Sequence, residues 1–317
     1  MTTSSLVHQL YELLLNHCTL PENGRDIFRA KINHILVSTT LNASEDIDTV
    51  WRKTWDKIFY QNARAANASD HIDRLNELPA HPLAQFNNIP SDASFLKGLK
   101  HYTVKHKRLI ELGHAWPSIY DLHASAARTI SESLAHHSAE QIVDLARTTI
   151  GAPGYRERGA PLSLCSAIEN LDGFAATTAF HICADLGYPV YKPDRWVVRF
   201  AATDPATKAA LQSELPTGKS IKDITQAYLN RHPRLVMIAL DHLTSAFTGQ
   251  PQPADIVDLD IGFRRHRFVD LMVVKFGMMP ERQFGLAVSP LTLLQENAAL
   301  AARYPALHQI AATMHSS

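Results

Sequence analysis

Apolar residues recur three or four positions apart through most of this chain, which is the spacing of one face of an α-helix. The first segments show the pattern at Leu6, Leu10, Leu13 and Leu14, and again at Ile27, Ile32, Ile35 and Leu36. Strict alternation of apolar and polar residues, the mark of strands, is nearly absent, and no strand leads into a glycine-rich turn that could hold a nucleotide. The sequence therefore predicts an all-α fold and disfavours the Rossmann and P-loop classes.

Composition bounds the size of the core and the charge of the surface. The chain has 317 residues, 45% of them apolar, which is enough for one large domain or two smaller ones. Its 31 basic side chains balance its 31 acidic ones. A nucleic-acid partner would therefore have to bind at a local patch, because the overall charge does not attract it.

Cysteine, histidine and hydropathy patterns indicate the cellular compartment of the protein and which cofactors it could bind. Cys18, Cys165 and Cys183 are odd in number and irregularly spaced, which argues against a disulfide framework or a four-cysteine cluster. The 17 histidines include no zinc-binding spacing. No basic stretch precedes the first apolar residues, and no segment is apolar for long enough to cross a membrane. We expect a cytoplasmic protein without metal, other cofactor or membrane contact.

Two irregular segments divide the helical pattern. Residues 79–94 are rich in proline, asparagine and serine, which predicts a boundary between a helical region at 1–95 and a helical core at 96–317. Residues 151–161 carry glycines and prolines between two helical patterns, and loops placed in this way often carry function. Further helices are expected at residues 205–213, 220–230, 235–247 and 291–314.

The stretch LDGFAATTA at residues 171–179 has the pattern of a helical hairpin. One helix ends ahead of Gly173, where the chain turns tightly, and small residues allow a second helix to pack closely against the first. The N-terminus of that second helix would present backbone N–H groups to a phosphate oxygen. We take Gly173, Ala175, Thr177 and Thr178 as candidate contacts to a DNA backbone, which would be bound without reading its sequence.

An aspartate in a proline–aspartate step follows the hairpin, within Lys192-Pro193-Asp194-Arg195. An aspartate at a helix start is commonly only the cap of that helix. Placed beside a sugar, the same carboxylate could stabilise the positive charge that develops when an N-glycosidic bond breaks. The residues alone leave both interpretations open.

The hairpin and the aspartate together resemble the helix-hairpin-helix DNA glycosylases of the endonuclease III type. The matching positions are Leu171, Gly173, Thr178 and Ala179 in the hairpin, Leu186, Gly187 and Tyr188 after it, and Lys192, Pro193, Asp194, Arg195, Val198 and Arg199 around the aspartate. A weaker match at residues 35–59 resembles the family's early helix pair. The resemblance implies a two-lobed helical HhH-GPD-like fold with extra N-terminal helices, a hairpin at 168–182 and a catalytic segment at 188–200.

The same resemblance implies a function and roles for individual residues. The substrate would be double-stranded DNA containing a damaged or modified base, and the reaction would be hydrolysis of the N-glycosidic bond. Asp194 would be the catalytic carboxylate, stabilising an oxocarbenium-like transition state and orienting water. Lys192 and Arg195 would contact the DNA backbone.

The chain departs from the family pattern at the hairpin. Thr177 stands where bifunctional members carry the lysine that forms a Schiff base, so we expect a monofunctional enzyme without lyase activity. Asp172 stands where the family usually has proline, and Ala175 where it usually has a second glycine. An acidic side chain beside a phosphate is electrostatically unfavourable.

A flipped-out base needs a pocket with aromatic walls. Tyr155, Trp116 and Trp51 are the candidates, and Tyr155 is preferred because an aromatic in a loop has less reason to serve packing. Two basic runs, at residues 97–108 and 264–267, are either phosphate contacts or solvated helix faces.

Two other functions remain open on sequence alone. A non-catalytic helix-hairpin-helix DNA-binding module would use Asp194 only as a helix cap, and a helical enzyme on this scaffold could act on free nucleosides or RNA. The excised base, a role in repair or in defence against foreign DNA, and the oligomeric state do not follow from the residues.

Overall fold

The computed structural model describes residues 5–60, 65–152, 163–278 and 280–316. Over these ranges the protein is all-α, with an isolated antiparallel bridge between Thr19 and Leu286 and no sheet, which confirms the predicted fold class. Within the same ranges, no helix combines the length and the apolar character that crossing a membrane requires.

The chain divides into two compact units. Unit 1 consists of Met1–Thr40 together with Val190–Ser317, and unit 2 is the continuous segment Leu41–Pro189. This division differs from the boundary expected near residue 95. The two chain segments of unit 1 are joined by backbone hydrogen bonds, such as Leu20 N–H to the Gly285 carbonyl at 2.8 Å. Contacts of this kind, between residues distant in sequence, hold the two segments of unit 1 together.

The helices are numbered here in chain order. The first part of unit 1 contains α1 Leu6–Leu13, continued by a π-helical turn Leu14–Cys18, and α2 Gly24–Ser38. Unit 2 contains α3 Ile47–Arg52, α4 Lys57–Tyr60, α5 Ala65–Asn76, α6 Tyr102–Ser133, α7 Ala139–Thr149, α8 Leu164–Glu169 and α9 Ala176–Asp185. The second part of unit 1 contains α10 Arg195–Thr203, α11 Pro205–Leu211, α12 Gln226–Arg231, α13 Pro233–Phe247, α14 Arg264–Gly277, α15 Pro290–Glu296, α16 Ala298–Arg303 and α17 Pro305–Ser316.

The single helix expected at residues 291–314 is wrong, because this stretch forms α15, α16 and α17. Asn297 interrupts the first pattern, since its side chain accepts the Leu300 N–H and caps α16. Pro305 starts α17, where its missing N–H costs nothing. The helix expected at 220–230 is also shorter than predicted, because the Thr225 side chain caps α12.

Helix α14 lies at the centre of unit 1, where it packs against α1, α2, α10, α13 and α15. Its Phe268 stacks on Phe247 of α13, with ring centroids 5.6 Å apart. At the C-terminal end of α14, Trp196 of α10 packs directly against Gly277. A Cβ at Gly277 would lie 2.9 Å from the Trp196 side chain. The close approach of α10 to α14 brings the start of α10, and with it Asp194, near polar groups of α14.

Candidate active site

Asp194 is the N-cap of α10, as the proline–aspartate step suggested. Its Oδ1 accepts the N–H groups of Trp196 at 2.9 Å and of Val197 at 3.0 Å. Its Oδ2 faces Lys192 Nζ at 3.6 Å, beyond ordinary hydrogen-bond distance, and 18% of the Asp194 side chain is exposed. One carboxylate oxygen is therefore occupied in holding the helix, and the other faces a cation.

The segment before Asp194 is held by two other helices of unit 1. The hydroxyl of the buried Tyr191 donates to Asp241 Oδ1 at 3.1 Å and lies 2.7 Å from Thr244 Oγ1, both on α13. The N–H of Lys192 donates to Asp270 Oδ1 of α14 at 3.2 Å. The chain therefore enters α10 from two consecutive anchored residues, Tyr191 through its side chain and Lys192 through its backbone N–H.

Asp270 is a buried carboxylate beside the candidate site. Its Oδ2 accepts Arg267 Nη1 at 2.7 Å, one turn earlier on α14. Burial raises the pKa of Asp270 to about 6, the charge of Arg267 opposes that rise, the charge of Asp194 adds to it, and Lys192 lowers it. The two carboxylates and two cations are thus electrostatically linked.

Lys275, farther along α14, is a second buried ionic residue of this region. It forms an ion pair with Glu281, and its Nζ lies 3.4 Å from the centroid of the Phe284 ring. Burial lowers the pKa of Lys275, while the Glu281 carboxylate raises it. The charges of Lys192 and Arg267 lower it further, so this lysine belongs to the same electrostatic environment.

Lys192 and Arg195, which were both expected to contact a DNA backbone, differ in their surroundings. Lys192 is half-buried, with its Nζ next to the Asp194 carboxylate. Arg195 is exposed, and its guanidinium lies 4.5 Å from the ring centroid of the half-buried Trp196. The exposed Arg195 is placed to reach solvent or a ligand, whereas Lys192 is placed to influence Asp194.

The helical hairpin is present in unit 2 as α8, a short turn and α9. Gly173 has φ +75°, the left-handed conformation that favours glycine. Ala175 is the N-cap of α9 and supplies no side-chain hydrogen bond to its first turn. Gly173, Ala175 and Thr177 are exposed, and Thr178 is half-buried. The structure therefore brings these four candidate contacts together on one hairpin.

Asp172 is engaged with α6. Its Oδ2 lies 3.0 Å from Lys107 Nζ, and the hydrogen bond and charge of that lysine lower the pKa of Asp172. Its N–H donates to Glu111 Oε1 at 2.6 Å. The Arg108 guanidinium lies close over Gly173. Lys107 thus offsets the acidic charge of Asp172.

The two tryptophans offered as pocket walls lie in the core of unit 2, which corrects that expectation. Trp51 and Trp116 have no exposed surface, and their rings pack edge to face with centroids 5.3 Å apart. Their indole N–H groups donate to the carbonyls of Leu83 and Ile47. Neither offers a face on which a base could stack. Tyr155 lies outside the described residues.

The two basic runs are partly internal. In the first, Lys105 is buried and donates to the Phe59 carbonyl at 2.5 Å, and burial lowers its pKa to about 8. His106 is also buried, whereas Lys97, Lys100 and Lys107 are exposed. In the second run, Arg264, Arg265 and Arg267 bind Thr40, Asp260 and Asp270 respectively. These bonds turn the arginines toward unit 1 itself.

The hairpin lies in unit 2, whereas Asp194 lies in unit 1. No grouping of histidine, cysteine and acidic side chains suited to a metal ion occurs over the ranges described.

Comparison of the chain with protein-family models, curated proteins and solved structures finds no match.

Asp270 and Trp196 are residues of this region that the sequence did not single out for the site, and Arg267 was considered only as a member of the basic run at 264–267. An aspartate within the apolar run FVDLMVVKFG is a usable signal, because a charge on the buried face of a helix needs compensating partners. The identity of those partners depends on the packing of α10 against α14, which the sequence pattern does not reveal.

Proposed function

We propose that this protein is a monofunctional DNA glycosylase, which hydrolyses the N-glycosidic bond of a damaged or modified base in double-stranded DNA. The observation that carries the proposal is the state of the Asp194 carboxylate. Two backbone N–H groups hold its Oδ1, while Oδ2 faces the Lys192 ammonium and the side chain retains exposed surface. A fixed, partly exposed carboxylate is what stabilising an oxocarbenium-like sugar requires.

The hairpin supports the DNA part of the proposal. Its turn at Gly173 and the exposed start of α9 provide a surface for a phosphate, and Lys107 offsets the charge of Asp172. Thr177 at the position of the family's lysine supports hydrolysis without lyase chemistry. Base recognition is left to residues other than Trp51 and Trp116.

The test compares wild-type protein with Asp194→Asn on duplex DNAs that carry a panel of damaged and modified bases. Released base is detected by mass spectrometry and abasic sites by alkali cleavage. Asparagine caps helices about as well as aspartate, so α10 should persist. Asp46→Asn is the matched control, because Asp46 Oδ1 caps α3 through the N–H groups of Asp48 and Thr49 in the same way. Release by wild type and Asp46→Asn but not by Asp194→Asn supports the proposal.

The alternative is a non-catalytic DNA-binding module, and the capping bonds of Asp194 favour it because they explain that aspartate without any chemistry. It predicts that wild-type protein binds duplex but releases no base from any DNA in the panel. Under this alternative Asp194→Asn leaves duplex affinity unchanged.

A further inference from the structure

Asp270 connects the middle of α14 to the segment that precedes Asp194. Only 1% of the residue is exposed, and both carboxylate oxygens are engaged. Oδ1 accepts the Lys192 N–H at 3.2 Å and Oδ2 accepts Arg267 Nη1 at 2.7 Å. A single side chain therefore ties the backbone before α10 to a cation on another helix.

The hydrogen bond between Asp270 and the Lys192 N–H lies two residues before the candidate catalytic residue Asp194. The Asp194 N–H donates to the Lys192 carbonyl at 2.8 Å, so the backbone of Lys192 receives support from both sides. The Tyr191 hydroxyl is bound to α13. That contact holds the Tyr191 side chain, whereas Asp270 holds the N–H that precedes the proline–aspartate step.

We infer that Asp270 is a positioning residue for Asp194, acting through the Lys192 backbone to fix the direction in which the Asp194 carboxylate points. The inference rests on the proposed function. It assigns Asp270 no contact with DNA, because that side chain is enclosed within unit 1.

The choice of an ionisable side chain supports this role. A buried carboxylate carries a desolvation cost that a neutral acceptor would avoid, and cations must offset it. Here Arg267 binds it directly and Lys192 lies on the segment it holds. Its negative charge also acts on Lys192, whose ammonium faces Asp194. An ionised Asp270 thus orders both the backbone and the charges around Asp194.

The pH dependence of the rate gives a signature that a purely structural role would not produce. The charged groups that act on Asp270 are Arg267 on its own helix and Lys192 and Asp194 on the segment packed against it. Its pKa, raised by burial, is about 6. We expect kcat for base release to fall as pH drops through that value, because the neutral carboxyl no longer binds Arg267 as an ion.

The experiment measures single-turnover base release and duplex affinity for wild type, Asp270→Ala, Asp270→Asn and Arg267→Gln. Asp270→Ala should lower the rate by on the order of 10-fold to 100-fold with little change in duplex Kd. Asp270→Asn should recover part of that loss, because its amide oxygen still accepts the Lys192 N–H. In Arg267→Gln the pH midpoint should rise, since the Arg267 charge lowers the pKa of Asp270.

Asp204→Ala is the control for general damage to unit 1. Asp204 is also a buried aspartate of this unit, and it caps α11 by accepting the Thr207 N–H. A rate loss of the same size in Asp204→Ala and Asp270→Ala would overturn the inference, as would full rate in Asp270→Ala.

Hydrogen exchange at the Lys192 amide provides a readout that needs no activity. Its protection should be lost in Asp270→Ala and largely retained in Asp270→Asn. If wild type releases no base, the proposed function fails, and unchanged protection in Asp270→Ala would separately show that Asp270 does not hold this segment. If wild type releases base while protection and rate are both unchanged in Asp270→Ala, the proposed function stands and the inference fails.

Discussion

Arg108 lies so close over Gly173 that a Cβ at the glycine would come within 2.2 Å of the guanidinium. The hairpin turn of unit 2 is therefore packed against the first turns of α6. Together with the Lys107–Asp172 pair, this contact fixes how the turn is presented to solvent. Its left-handed backbone favours glycine, and a side chain at this position would displace the Arg108 guanidinium.

Gly173→Ala should destabilise unit 2. The left-handed conformation costs an alanine about 1–2 kcal/mol, and Arg108 must move in addition. Chemical denaturation measures the change in the free energy of unfolding. Gly218→Ala is the backbone control, because Gly218 has φ +87° and a Cβ added there would meet no other atom within 4 Å. An equal loss in both variants would show that the Arg108 contact contributes nothing.

Asp172→Asn should strengthen binding to duplex DNA if the hairpin faces phosphate. The substitution removes an acidic charge from the turn and releases Lys107 for a phosphate oxygen. Duplex affinity is measured over a series of salt concentrations. The affinity of Asp172→Asn should exceed that of wild type several-fold at low salt and become equal to it at high salt. Asp73→Asn, which removes another exposed acid of unit 2, should show no such gain. Equal effects in the two variants would place the DNA elsewhere.

Wild-type protein should leave abasic sites intact. Thr177 cannot form a Schiff base, so borohydride should trap no covalent complex between protein and DNA. The measurement is a denaturing gel after reaction with labelled duplex. Trapping that disappears in Lys192→Gln would contradict this expectation and would identify Lys192 as the attacking amine.

Asp270 should impose a pH dependence on the stability of unit 1. Its pKa rises from 3.8 to about 6 on folding, so the folded state binds this proton more tightly than the unfolded state. Its stabilising contribution is therefore present at low pH and is lost as pH rises through this window. Between these two pKa values the change in the free energy of unfolding is on the order of 3 kcal/mol.

Comparing wild type with Asp270→Asn isolates this contribution from other carboxyl groups. The two proteins are unfolded in urea between about pH 4 and about pH 7. The unfolding free energy of wild type minus that of Asp270→Asn should fall as pH rises. Parallel curves for the two proteins would mean that Asp270 titrates normally in the folded protein.

The helical class and the ends of several helices could be predicted because they depend on near neighbours. Apolar spacing determines which face of a helix is buried, and Asp194 caps α10 through residues two and three positions away. Asn297 and Pro305 are equally local signals, and reading them as breaks would have divided the last helical stretch correctly.

The surroundings of the site could not be predicted in the same way. Whether a tryptophan is a pocket wall or a core residue depends on what packs on it, and Trp51 is enclosed by Trp116 from a distant helix. Asp270 meets Lys192 across a long stretch of chain. Such contacts follow from tertiary packing, which no spacing rule within a single helix contains.

Because unit 1 consists of two chain segments on either side of unit 2, its two parts are synthesised at different times. Every residue of unit 2, Leu41–Pro189, is synthesised before α10, whereas α1 and α2 lack their shared packing partner until α14 follows. The hairpin-bearing half therefore has the opportunity to fold first, and the half that carries Asp194 closes last. In the nascent chain, the apolar faces of α1 and α2 are the surfaces that a chaperone would have to shield.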